Sequence, residues 1–73
     1  MGLHEVEAGG GARVLGVRGE DGMARRLADL GFTAGAWVRC LYKSPALDPA
    51  AYDIRGAVIA LRREDAARIE VRP

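Results

Sequence analysis

The stretch of residues 23–35 constrains the fold most, because it contains a short helix with a marked apolar side. At 100° per residue, Met23, Leu27 and Leu30 fall within about 60° of one another, whereas the charged side chains lie on the far side. This spacing predicts one amphipathic helix over about residues 22–31, with those three side chains against the core.

Both ends of this helix are marked by residues that cap helices. Asp21 stands at the N-cap position, and Gly31 stands where a left-handed residue ends a helix. We therefore expect Phe32 to fold back onto the apolar side of the helix. Gly35 permits a second reversal, and the segment after it has strand composition.

The rest of the chain predicts β-structure. Strands are expected at about residues 12–18, 36–43, 52–54, 57–61 and 67–72. Gly16 is expected to mark a β-bulge, and Arg55-Gly56 is expected to form the turn of a hairpin. Residues 63–66 allow one helical turn, expected to be 3₁₀, before the last strand. This pattern predicts a mostly β fold, a small five-stranded barrel with one short inserted helix.

The second strand decides which side chains face the core. Alternation places Val38, Cys40 and Tyr42 on one face, which we expect to point inward, and puts Trp37, Arg39 and Leu41 on the other. Leu3 and Val6 are expected to plug one end of the core.

Composition limits the function classes. The 73 residues allow one domain with one core, and no apolar run is long enough to span a membrane. We therefore expect a cytoplasmic protein that does not insert into membranes. A formal net charge of +1 gives no general attraction to nucleic acid, and the single cysteine fits a reducing compartment.

The residues that carry catalysis or bind metals are few. Ser44, His4 and Cys40 are each the only residue of their type, and Cys40 falls on the inward face of a strand, so we expect no enzyme. His4, Glu5 and Glu7 can chelate an adventitious divalent ion, or they form a solvated acidic terminus. We expect no required cofactor.

Other side chains fit contact with a partner. Trp37 is expected to point outward, where it forms an apolar patch with Leu41 and Leu47, caps the helix or covers the open end of the barrel. Arg25 and Arg26 lie on the exposed helix face and can meet carboxylates or a nucleotide phosphate.

Two motifs together resemble the FeoA family of bacterial ferrous iron transport. The first is Arg-Leu-x-x-Leu-Gly at residues 26–31, and the second is Gly-x-x-Ile-Ala-Leu-Arg at residues 56–62. The resemblance covers nearly the whole chain. It implies an SH3-like barrel and an accessory role in Fe²⁺ uptake, in which the protein binds and regulates FeoB, a membrane permease with a GTPase domain. Family members commonly have glycine where this chain has Leu47.

Two alternative functions stay open at this point. A related domain forms the C-terminal part of DtxR-type repressors, so a standalone metal-responsive regulator is one alternative. A nucleic-acid binder is the other, because small barrels hold nucleic acid on basic strands, and Arg39, Arg62, Arg63 and Arg68 could form such a face. The near-neutral charge disfavours this second alternative.

Overall fold

The computed structural model describes all 73 residues. A 3₁₀ turn opens the chain, and five strands and two helices follow. Their bounds are Leu3–Glu5 for the 3₁₀ turn, Gly11–Val17 (β1), Gly22–Asp29 (α1), Trp37–Lys43 (β2), Ala50–Ile54 (β3), Ala57–Leu61 (β4), Arg63–Ala66 (α2) and Ile69–Arg72 (β5). The five predicted strands are thus confirmed, and the opening 3₁₀ turn is an element that the sequence pattern did not predict.

The strands form one antiparallel sheet in the order β4-β3-β2-β1-β5. Its register shifts between Val14 and Gly16, which confirms the predicted bulge in β1. Arg55 and Gly56 both have positive φ, at 50° and 82°, as a two-residue hairpin turn of type I′ requires. Strands β4 and β5 are the edges of the sheet, which curls around a core.

Helix α1 has both predicted caps. The Asp21 carboxylate accepts a hydrogen bond from the Ala24 N–H at 3.1 Å. At the other end Gly31 has a φ of 116°. The N–H groups of Gly31 and Phe32 donate to the carbonyl oxygens of Ala28 and Leu27 at 3.0 and 3.2 Å, which is the Schellman pattern. Phe32 is buried, so the chain folds back as expected.

The apolar face expected for α1 is partly wrong. Ala24 and Leu27 are buried, whereas Met23 and Leu30 are 36% and 38% exposed. The buried side of the helix is formed by Leu27 and Ala24, with Ala28 half-buried next to them. It is therefore rotated from the predicted face toward the alanines, which leaves Met23 and Leu30 at its margin.

The inward face of β2 is also shorter than predicted. Val38 and Cys40 are fully buried, but Tyr42 is 60% exposed. The pairing of β2 with β3 shifts register between Cys40 and Tyr42. This irregularity reverses the alternation of side chains, so Tyr42 points outward.

A buried cluster of 16 residues forms the core. The 3₁₀ turn and the residue after it close one end, because Leu3 and Val6 are buried as predicted. Ile69 and Val71 of β5 are also buried, which confirms the inward face of the last strand. The single helical turn predicted at residues 63–66 is present, but it is α-helical rather than 3₁₀, because the Ala66 and Ala67 N–H groups donate to the carbonyl oxygens four residues back, at 3.0 and 2.9 Å. Neither helix has the length and apolar character needed to cross a lipid bilayer.

Candidate partner-binding surfaces

Trp37 lies on the outer face of the sheet at the start of β2, with 47% of its surface exposed. A Cβ atom added to Gly11 would lie only 2.4 Å from the Cζ2 atom of the indole ring. The ring therefore lies against the backbone of β1, and this close approach requires glycine at position 11. The exposed tryptophan is held in place by the sheet itself.

Arg13 also contacts the indole. Its guanidinium carbon lies 5.2 Å from the ring centroid of Trp37, which is a cation–π distance. The Nη1 atom of Arg13 donates a hydrogen bond to the Gly35 carbonyl oxygen at 3.1 Å. These two contacts orient the guanidinium and leave its remaining donors free for a partner.

Two more arginines extend this surface. Arg72 lies directly opposite Arg13 on β5, and Arg39 lies two residues after Trp37 on β2. None of the three arginines forms an ion pair within the structure. Asp53, opposite Arg39 on β3, is the neighbouring acidic residue. We call Arg13, Trp37, Arg39 and Arg72 the tryptophan–arginine face.

The structure does not bring the three predicted apolar contact residues together. Trp37 begins β2, Leu41 is half-buried near the end of that strand, and Leu47 lies in the loop beyond it. A seven-residue strand is about 20 Å long. Trp37 and Leu47 therefore belong to separate surfaces.

Leu47 is 62% exposed and has a φ of 66°, a conformation that favours glycine. Hydrogen bonds on both sides of it hold the loop. The N–H of Leu47 donates to the Ser44 carbonyl oxygen at 2.7 Å, and the Asp48 carboxylate accepts from the Arg63 N–H at 2.9 Å. The left-handed backbone explains why glycine suits this position.

The two arginines of α1 face different surroundings. Arg25 lines a groove of about 320 Å³ with Val17, Ala28 and Phe32, whereas Arg26 lines a second groove on the other side of the helix. Both side chains are exposed, and Arg25 makes no ion pair with Asp29 although the spacing allows one.

The second groove, of about 300 Å³, runs between α1 and strand β4. Its apolar lining comes from both elements, and three charged side chains join it. The lining residues are Met23, Arg26, Leu27, Leu30, Ile59, Ala60, Leu61, Arg62 and Asp65. We call it the edge groove. The exposed positions of Met23 and Leu30 create it, which is why the sequence pattern missed it.

Asp21 and Arg68 form the shortest ion pair in the structure, and it is bidentate. The two guanidinium nitrogens of Arg68 lie 2.5 and 2.8 Å from the two carboxylate oxygens of Asp21. These hydrogen bonds, together with the one from the Ala24 N–H, lower the pKa of Asp21 to about 2. The pair joins the start of α1 to the segment before β5.

The four arginines proposed for nucleic-acid binding do not share one face. Arg68 is paired with Asp21. Arg39 lies on β2 opposite Asp53 of β3, which in turn lies opposite Val58 of the edge strand β4. Arg62 and Arg63 come after the end of β4. The basic face that the nucleic-acid alternative requires is thus divided.

The structure does not bring the candidate catalytic and metal-binding side chains together into one site. Cys40 is fully buried, and burial raises the pKa of its thiol. The Nε2 atom of His4 lies 4.0 Å from a carboxylate oxygen of Glu5, and Glu7 is exposed. No three histidine, cysteine, aspartate or glutamate side chains lie close enough together to hold a metal ion.

Comparison with known proteins adds family evidence to this geometry. The family model described as the FeoA domain matches residues 1–73. The Fe(2+) transport protein A/Fe(2+) transporter FeoB fusion protein of Porphyromonas gingivalis is 37% identical over 71 residues. That match covers 97% of this chain but only 8% of the relative's length.

Solved structures show the same fold. FeoA of Stenotrophomonas maltophilia, a prokaryotic SH3 domain protein crystallised with zinc, is 34% identical and superposes with a TM-score of 0.89, covering 99% of this chain and 89% of that one. A FeoA-like protein of Clostridium acetobutylicum is 33% identical with a TM-score of 0.90, covering 99% and 84%.

A manganese-dependent transcriptional repressor shares the fold at lower identity. It is 22% identical with a TM-score of 0.83, and the superposition covers 97% of this chain and 40% of the repressor. The SH3-like fold is therefore common to both groups, and the sequence identities favour the transport proteins. The chain belongs to the FeoA family, which takes part in ferrous iron transport.

Proposed function

We propose that this chain is an accessory protein of ferrous iron uptake that binds the cytoplasmic part of the FeoB permease and regulates it. One observation carries the proposal: the Porphyromonas gingivalis relative joins a Fe(2+) transport protein A to a FeoB transporter in one chain. A covalent link raises the effective concentration of two modules to about the millimolar range, which favours contact even where affinity is low.

The tryptophan–arginine face is the proposed anchor of this interface. Tryptophan and arginine are the residue types that most often dominate binding energy at protein interfaces. Trp37 is exposed, and Gly11 and Arg13 hold it in place. A side chain that is already ordered loses little conformational entropy on binding, so it contributes more to affinity.

Leu41, Leu47, Arg25 and Arg26 are proposed as secondary contacts. They lie on surfaces apart from Trp37, and Leu41 is half-buried. Truncation of any one of them to alanine is therefore expected to weaken FeoB binding less than truncation of Trp37.

Regulation by binding rather than catalysis fits the placement of the nucleophilic side chains. Cys40 lies in the core, and the Ser44 hydroxyl oxygen accepts a hydrogen bond from the Asp48 N–H at 3.0 Å, a contact that holds the loop. We propose that the chain acts at the cytoplasmic side of the membrane, where the FeoB GTPase domain is expected.

The test is a binding isotherm with purified FeoB, with the GTPase rate recorded alongside, for the wild-type chain and for Trp37→Ala. Loss of an interface anchor of about 2 kcal/mol weakens binding by about 30-fold. The matched control is Tyr42→Ala, because Tyr42 is also an exposed aromatic residue of β2 but lies at its other end. We expect the control to change affinity by less than about threefold.

Each contrary outcome removes a different part of the proposal. Absence of binding by the wild-type chain rejects FeoB as the partner. Equal affinities of wild-type, Trp37→Ala and Tyr42→Ala reject the tryptophan–arginine face as the anchor. An unchanged GTPase rate at saturating FeoB occupancy rejects regulation of nucleotide turnover.

A further inference from the structure

Strand β4 has one side without a partner strand. Its two-residue turn makes Ile54 and Ala57 a hydrogen-bonded pair, so hydrogen bonding to β3 continues at Ile59 and Leu61. The N–H and C=O groups of Val58 and Ala60 therefore point away from β3. No backbone hydrogen bond outside the helices and strands involves these groups.

Within β4 itself, no charged residue, proline or bulge hinders strand addition. Sheet edges are usually protected by charged residues, proline or a bulge. Strand β4 contains only alanine, valine, isoleucine and leucine, its pairing with β3 has no register shift, and Val58 is 65% exposed. An unprotected apolar edge in a small protein indicates a site for an added strand.

The edge groove gives an added strand a second contact surface. Ile59, Ala60 and Leu61 form one wall, and the half-exposed Met23 and Leu30 of α1 belong to the other. Side chains of an extended segment alternate between its two faces. One set of alternate side chains could therefore pack against α1 while the backbone pairs with β4.

The charges along the groove are unequal. Arg26 and Arg62 both line it and form no ion pair, and Asp65 is the acidic residue of the lining. A carboxylate on the added segment would complement the excess positive charge.

We propose that the edge groove binds an extended segment of a partner protein, which adds to the sheet beside β4. This segment carries apolar side chains at alternate positions and at least one carboxylate that meets Arg26 or Arg62. The mode is strand addition, in which backbone bonds provide affinity and alternate side chains provide specificity. The site is separate from the tryptophan–arginine face and does not depend on FeoB being the partner.

A second copy of this chain is a poorer occupant. At full overlap, antiparallel pairing of two β4 strands brings Arg55, which precedes β4, near Arg62 and Arg63, which follow β4, of the other copy. Like charges brought close together repel each other, so this overlap is disfavoured. The charge pattern therefore favours a foreign segment with acidic residues.

The first test uses a probe peptide and the unmodified protein. The probe is the blocked peptide Glu-Val-Thr-Val-Thr-Val-Glu, titrated against the protein by NMR with amide hydrogen exchange. We expect the amides of Val58 and Ala60 to gain protection. Two N-methylated probes, methylated on the odd or the even residues, should differ in affinity by at least about tenfold, since only one set of amides faces β4.

Three results would overturn the proposal. The first is equal binding by both N-methylated probes, and the second is unchanged exchange at Val58 and Ala60. The third is concentration-dependent protection of these amides without peptide, with a dimer in sedimentation, which makes a second copy the occupant. Equal affinity of a probe with glutamine in place of glutamate would refute the carboxylate contact.

A protein variant gives an independent test. Ala60→Pro removes an N–H group that points away from β3, so no hydrogen bond between β3 and β4 is lost. Proline is tolerated at such positions of edge strands. The matched control Ala60→Ser keeps the N–H. Probe affinity should fall at least about tenfold in the first variant and stay within about threefold in the second, with the NMR spectrum of the core unchanged in both. Equal affinity of the two variants contradicts backbone pairing at this edge.

Discussion

Replacement of Gly31 by alanine should destabilise the protein through the backbone at the end of α1. Gly31 has a φ of 116°, which an L-residue rarely adopts. An added Cβ would also lie 3.0 Å from the Arg55 Cδ atom and 3.4 Å from the Ile54 Cγ1 atom. The Arg55 side chain can move aside, so the backbone conformation supplies most of the cost.

The size of the effect follows from that conformation. A residue with a side chain in such a backbone region costs about 1–3 kcal/mol, and we expect about 2 kcal/mol for Gly31→Ala. A domain of this size has a total stability of about 4–11 kcal/mol. The midpoint of thermal unfolding should therefore fall by about 8–16 °C.

Gly22→Ala provides a matched control at the other end of the same helix. Gly22 is the first helical residue, and an added Cβ there meets no atom within 4 Å. Because alanine is the better helix former, we expect this variant to be more stable by about 0.5 kcal/mol. Urea unfolding followed by circular dichroism measures both. Equal changes in the two variants, or stabilisation by Gly31→Ala, would refute the reasoning from backbone conformation.

Three further predictions concern acid stability, thiol reactivity and loop strain. Because the folded pKa of Asp21 is about 2 and its ordinary value is 3.8, the stabilising contribution of this carboxylate is full above about pH 4 and is lost as the pH falls toward 2. Urea midpoints between pH 5 and pH 2 should fall less steeply in Arg68→Met, and an equal slope would argue against the pair. The buried Cys40 thiol should react with Ellman's reagent at pH 8 at least about a hundredfold more slowly in the folded protein than in urea, whereas similar rates would mean that the thiol is accessible. Leu47→Gly should raise the unfolding free energy by about 1 kcal/mol, because glycine adopts the φ of 66° without strain, and an unchanged or lower value would contradict this.

Local chemistry explains what could be predicted from the sequence. The caps of α1 depend on Asp21 and Gly31, and the hairpin turn depends on Arg55-Gly56, so each feature is decided by a few adjacent residues. The inward positions of Ile69 and Val71 follow from strict alternation. Such features need no knowledge of the rest of the chain.

The wrong predictions depend on contacts between distant segments. Which side of α1 packs on the sheet depends on how closely the helix approaches it, and this left Met23 and Leu30 exposed. The bulge that turns Tyr42 outward is set by pairing with β3 and has no marker in β2 itself. The edge groove results from both the helix packing and the order of the strands, so it could not be predicted from local patterns.

The candidate contact residues also differ in whether local sequence or contacts between distant segments decide their position. The outward direction of Trp37 follows from alternation along β2, but its support by Gly11 requires the register between β1 and β2. The bidentate contact of Asp21 with Arg68 joins residues 47 positions apart, and the sequence alone does not indicate which of the ten acidic residues pairs with that arginine.

The pairing of β1 with β5 has a consequence for how the protein forms in the cell. Strand β1 is near the start of the chain and β5 near its end, yet they are direct neighbours in the sheet. During synthesis on the ribosome, β1 cannot pair with β5 until almost all of these residues have emerged, so until then the buried Val14 lacks its neighbour Val71. Such sequence-distant pairing slows folding in general. We expect that strands β2, β3 and β4, which are consecutive in sequence and paired in that order, can form their part of the sheet before β5 is available.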